Sequence, residues 1–149
     1  MLFRSPARVR PYDPVVPSLL VTNDFPPKVG GIQSYLHELW RRLPPEDTTV
    51  LTTPYAGAAD FDAEASFRIE RVREQVMFPT GSLATRIDAL AREVGAEVIL
   101  LDPALPLGRL GHRLTAAPHV VIAHGAEITV PGRLPGSPAR GPCVIISPG

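Results

Sequence analysis

The sequence predicts an α/β domain in which a parallel sheet is flanked by helices. Three observations carry this expectation. Apolar runs of strand length recur along the chain, such as Val98-Ile99-Leu100-Leu101 and Val120-Val121-Ile122-Ala123. Two stretches between such runs place apolar residues at helical spacing. The two kinds of segment alternate, which implies βαβ units and hence parallel strands.

The elements follow in order. Residues 18–22 (SLLVT) read as a buried strand. Ile32, Leu36, Leu39, Trp40 and Leu43 then form a helical stripe that stops at Pro44-Pro45, because proline cannot donate to the preceding turn. Residues 48–53 (TTVLTT) are β-rich, and Phe67, Ile69 and Val72 mark a weaker strand. Leu83, Ile87, Leu90, Ala91 and Val94 repeat the helical spacing, with Gly95 as a C-terminal cap. Residues 97–101 and 119–123 read as further strands, with a short helix expected within 106–115. Nine of the 18 prolines lie outside residues 18–130. The expected organisation is therefore an irregular Pro/Arg-rich leader over 1–17, a folded domain over 18–130 and an irregular tail over 131–149.

Composition narrows the function classes. The chain has 149 residues, zero formal net charge and 44% hydrophobic residues, enough for a real core in one domain or in half of a two-domain protein. One cysteine, Cys143, excludes a disulfide framework and a cysteine-rich zinc site. Zero net charge argues against nucleic acid as a partner. No apolar run reaches membrane-spanning length, and the N-terminal residues lack the apolar stretch of a secretory signal, so a cytoplasmic location is expected. His119 and His124 differ by an odd number, so in one continuous strand they would face opposite sides, which disfavours a shared metal. Arg41-Arg42 and Arg68, Arg71 and Arg73 read as solvated faces balanced by Glu38, Glu70 and Glu74, with contact to anionic lipid headgroups as a secondary possibility.

In an open parallel sheet, ligands bind outside the carboxyl ends of the strands. The loop after the first strand, Asn23-Asp24-Phe25-Pro26-Pro27-Lys28-Val29-Gly30-Gly31, ends in two glycines at the start of a helix. Such a pair lets another group approach the backbone, and the first-turn N–H groups favour an anion or a sugar hydroxyl. It also fits a plain turn, and neither GxGxxG nor GxxxxGK[ST] is present. The last strand exits into His124-Gly125-Ala126-Glu127, where a neutral imidazole could exchange hydrogen bonds with a sugar hydroxyl or simply bond a neighbouring loop. Asp102-Pro103, at a third strand end, reads as a cap for the segment that follows rather than as a catalytic acid.

Strand–NDFPPKVGGIQ–helix, together with the later AHGAE, resembles the opening of the retaining GT-B glycosyltransferases of the fourth family. The stretch VTNDFPPKVGGIQSYLHELWRRLP is especially similar to the actinobacterial phosphatidylinositol-mannoside mannosyltransferases. The resemblance spans residues 18–135 and implies a Rossmann-like domain, the acceptor-side half of a GT-B fold. It implies that Gly30 and Gly31 approach the donor diphosphate, and that His124 contacts the donor sugar or the attacking hydroxyl. Asp24, Lys28 and Gln33 lie in the matching loop and are further candidates for substrate binding. It implies no metal and no cofactor, GDP-mannose as donor, a lipid or glycan acceptor, and peripheral contact with the inner face of the plasma membrane. Catalysis would rest on positioning and on stabilising charge on the leaving diphosphate. Members of this family carry a second, donor-binding domain, and SPARGPCVIISPG does not look like the helix expected next. The expectation is a truncated chain or one half of a split gene, with little or no turnover alone. Two readings stand beside it: a non-catalytic α/β module for a small anionic ligand, and a non-functional remnant.

Overall fold

The computed structural model describes residues 15–124. Segments 1–14 and 125–149 lie outside the described residues, and with them most of the expected leader, the whole expected tail, Cys143 and Gly125-Ala126-Glu127. Within 15–124 the chain forms a five-stranded, wholly parallel sheet in the order β3-β2-β1-β4-β5. The strands are β1 (Ser18–Thr22), β2 (Thr48–Thr52), β3 (Arg68–Arg71), β4 (Val98–Asp102) and β5 (His119–Val121). The helices are α1 (Gly31–Trp40), α2 (Ala58–Glu64) and α3 (Gly81–Val94), with a 3-10 helix over Leu107–Arg113 between β4 and β5.

Strand alternation divides the core in two. Leu19, Val21, Leu51, Ile99 and Leu101 face α3 and the 3-10 helix, where Ile87, Leu107 and Leu110 are fully buried. Leu20 and Val50 face the other way, onto Phe25, Leu36, Trp40 and Phe67. Period-2 side chains on both faces are covered, as a parallel sheet requires. Each such fully buried leucine or isoleucine contributes roughly 1.5–3 kcal/mol relative to exposure.

The two long helices end as their sequences dictate. In α1 the last turn tightens, with Arg42 N–H donating to Leu39 O at 3.2 Å and Leu43 N–H to Trp40 O at 3.1 Å, so the helix closes before Pro44. Thr80 Oγ1 caps α3 by accepting from Leu83 N–H at 3.2 Å. Gly95, at φ 67°, ends it with Ala96 N–H on Ala91 O at 2.8 Å and Gly95 N–H on Arg92 O at 3.3 Å.

Three expectations change. The segment AADFDAE forms α2, which the sequence pattern did not announce because it carries three acids and no apolar stripe. Strand β5 stops at Val121, so residue parity does not reach His124 and cannot set it against His119. Arg71 is not on a solvated face. Its side chain is 11% exposed, paired with Asp62 at 2.7 Å, and donates to Thr53 O at 2.7 Å and Pro26 O at 2.8 Å. Arg68 stays at the surface between Glu70 and Glu93, and Arg41 and Arg42 share Glu38.

Candidate functional site

The strand order reverses between β1 and β4. From β1 the chain runs through α1 to β2 on one side, and from β4 through the 3-10 helix to β5 on the other. The crevice outside the carboxyl ends of these two strands is where open α/β sheets place ligands. Their last residues, Thr22 and Asp102, are register partners. Thr22 Oγ1 donates to Asp102 Oδ2 at 2.6 Å, and neither residue is exposed.

From this pair the hydrogen bonds extend both ways. Asp102 Oδ1 bonds His124 Nε2, whose side chain is 6% exposed. Thr22 Oγ1 accepts from Asp24 N–H at 2.9 Å. Asp24 Oδ1 in turn accepts from Gln33 Nε2 at 2.9 Å and from Lys28 Nζ at 3.1 Å. One continuous chain of contacts, Gln33–Asp24–Thr22–Asp102–His124, therefore joins the glycine loop to the strand-end histidine. Burial pushes the Asp102 carboxyl above the usual carboxylate range, and the charge of Asp24 adds to this, while hydrogen bonds from Thr22 and His124 pull it back.

The loop that carries Asp24 is anchored at three points. Asn23 brackets the backbone of Met77, donating to its carbonyl at 3.1 Å and accepting from its N–H at 2.8 Å. Phe25 is fully buried and meets His37, Phe61 and Phe67 edge-on at ring-centroid distances of 6.1, 6.3 and 6.2 Å. The carbonyl of Pro26 is held by Arg71. Loop shape is thus set by the fold before any ligand arrives.

The two glycines differ. Gly30 has φ 167°, extended backbone open to any residue, but a Cβ there would stand 2.1 Å from Gln33 Oε1. Glycine at 30 is what lets the Gln33 amide lie across the loop and reach Asp24. A Cβ at Gly31 would meet nothing within 4 Å. The helix that begins there has no side-chain cap, so no capping residue claims its first-turn N–H groups.

Every proposed site residue thus lies on the same rim, but Asp102 has a different place from the one expected. It does not cap the segment after it; it is the buried link between Thr22 and His124. That pairing spans 22 residues and depends on β4 lying beside β5, which no local pattern announces. A groove of about 320 Å³ is lined by Val72, Met77, Phe78, Leu83 and Arg86 among others, and touches the loop only through Met77, whose backbone Asn23 holds. Among the described residues no group of three or more potential ligands could hold a metal, and no helix is long and apolar enough to cross a membrane.

In sequence the chain is similar to known mannosyltransferases. A GDP-mannose-dependent alpha-(1-6)-phosphatidylinositol monomannoside mannosyltransferase of Mycolicibacterium smegmatis is 37% identical over 117 residues, 74% of this chain and 31% of the relative. The protein of the same description in Mycobacterium tuberculosis is 39% identical over 119 residues, again 74% of this chain and 31% of the relative. A GDP-mannose-dependent monoacylated alpha-(1-6)-phosphatidylinositol monomannoside mannosyltransferase of Corynebacterium glutamicum is 34% identical over 125 residues, 80% of this chain and 32% of the relative. Over the matched residues this chain is a relative of the actinobacterial phosphatidylinositol-mannoside mannosyltransferases.

The chain spans about a third of the length of these curated relatives. The matched part is their N-terminal part, and the parallel Rossmann-like sheet is the corresponding part of a GT-B glycosyltransferase fold. No family model matches the chain.

Proposed function

We propose that this domain serves retaining transfer of mannose from GDP-mannose to a phosphatidylinositol-mannoside type acceptor, at a peripheral membrane contact, as the acceptor-side half of the reaction centre. The observation that carries the reading is the hydrogen-bonded chain from Gln33 to His124 across the β1–β4 crevice. It gathers polar side chains of the kind that bind sugar hydroxyls and sets them beside an uncapped helix start suited to a diphosphate. In this reading Gly30 and Gly31 admit the diphosphate, and His124 contacts the sugar or the attacking hydroxyl. Asp24 and Gln33 hold the loop in shape, and the reaction proceeds by positioning and by stabilising charge on the leaving group.

A module for simple anions fits less well. Lys28 is the only lysine of the chain, and in this loop its charge is already matched by Asp24.

Titration calorimetry of the chain with GDP-mannose and with inorganic phosphate tests the reading. The expected outcome is weak binding of GDP-mannose and a smaller or absent response to phosphate. Gly31→Ala sharpens it, because the added methyl enters open space. Alanine is the better helix former by up to about 1 kcal/mol, so stability should hold or rise while GDP-mannose binding falls at least tenfold. Equal responses to the two ligands, or full affinity in Gly31→Ala, would overturn it.

A further inference from the structure

We infer that Asp102 is a positioning residue for His124, with Thr22 as its second anchor, so that the three form one unit that decides which imidazole nitrogen carries the proton. The inference rests on the reading above only for its purpose, which is to present His124 to a sugar hydroxyl in one defined hydrogen-bonding state.

The geometry argues for a unit rather than a chance pair. Each oxygen of the Asp102 carboxylate has its own partner: Oδ1 meets His124 Nε2, and Oδ2 receives the Thr22 hydroxyl at 2.6 Å. A carboxylate pinned at both oxygens cannot rotate away from the ring. Thr22 is fixed in its turn, since its hydroxyl also accepts from Asp24 N–H at 2.9 Å. Asp102 and Thr22 are both at zero exposure, so water does not compete for these contacts. While Asp102 is ionised it only accepts, so Nε2 carries the hydrogen and a neutral ring is held as the Nε2–H tautomer. The β1–β4 register that sets Thr22 opposite Asp102 therefore links the ring's proton to the shape of the glycine loop.

The test uses the 149-residue chain with ¹⁵N-labelled histidine and reads the two ring nitrogens of His124 by nuclear magnetic resonance, above the pH range of histidine titration. The expected result is a ring more strongly biased to Nε2–H than the histidine side chain of an unstructured peptide. Asp102→Ala should lower the ratio of the two neutral tautomers roughly tenfold, in line with the loss of one charge-assisted hydrogen bond. Thr22→Val, which keeps the side-chain shape, should move the ratio in the same direction, whereas Thr22→Ser should restore it. Circular dichroism identifies variants that have not folded, and if Asp102→Ala is among them Thr22→Val decides. An unchanged ratio in the deciding variant, or a wild-type ratio equal to that of histidine in an unstructured peptide, overturns the inference. No sugar enters this measurement, so a calorimetric failure with GDP-mannose alongside an intact tautomer bias would sink the ligand reading alone.

Discussion

Asp88 shows how one polar side chain can secure a turn far away in sequence. It lies on α3 and accepts from Thr115 N–H at 3.0 and 3.1 Å, Thr115 Oγ1 at 2.8 Å and Ala116 N–H at 3.0 Å. Burial works against its ionisation, but the bonds from Ala116 and Thr115, with the charge of Arg92, outweigh burial and hold its carboxyl below the ordinary value. A carboxyl depressed in the folded state contributes fully above the ordinary carboxylate range and loses that contribution as pH falls through the depressed value. Asp88→Ala should therefore cost on the order of 2 kcal/mol near neutral pH, measured by urea denaturation. The difference from wild type should shrink as pH falls below the ordinary carboxylate range, and a loss equal in neutral and in acid solution would count against the charge as the source. His119 carries the opposite residue type with a related consequence. Burial pushes its imidazole below the usual value, so the folded chain favours the neutral ring. Its contribution is present above the ordinary histidine range and is lost as pH falls through the lowered value. In His119→Gln the decline in urea midpoint between pH 7 and pH 5 should flatten.

At the scale of elements, the most periodic segments are those whose structure can be read in advance. Residues 18–22, the stripe ending at Leu43 and the stripe from Leu83 to Val94 form β1, α1 and α3, because each buries a continuous apolar face that only one backbone period can produce. Helix α2 was not legible, since seven residues with three acids bury no stripe of their own. The same limit hid two side chains. Arg71 within RIER looks solvated by local alternation and is buried only because α2 brings Asp62 over it. Asp102 looks like a cap until β5 is laid beside β4. The glycine loop and His124 were visible as strand exits, and their common rim follows from strand order, but the bonds between them depend on register. Two substitutions test the account of α3. Gly95→Ala forces a left-handed residue at φ 67° and should cost about 1 kcal/mol. Ile87→Ala empties a fully buried position and should cost roughly 2–5 kcal/mol. Chemical denaturation that ranked these two in the reverse order would contradict the burial pattern.

For the whole molecule, the two apolar clusters share one sheet, with Leu19 and Val21 in one cluster and Leu20 in the other. Neither can be lost without exposing the reverse side of the same strands. Unfolding of the described region should therefore be a single cooperative transition. Trp40 offers a convenient probe because it is the only tryptophan and is 5% exposed on the α1 side. Its fluorescence and the far-ultraviolet circular dichroism should give coincident urea midpoints, whereas separated midpoints would show that the α1 and α3 layers come apart independently. The anchoring of Asp24 to Thr22 has a consequence on a slower timescale. Its amide sits in a connecting loop, where deuterium would ordinarily replace hydrogen quickly, yet it is donated at 2.9 Å to a hydroxyl sealed beneath the surface. Solvent isotope can reach it only when the strand ends part, so the uptake rate at this one position reports how often the floor of the crevice opens.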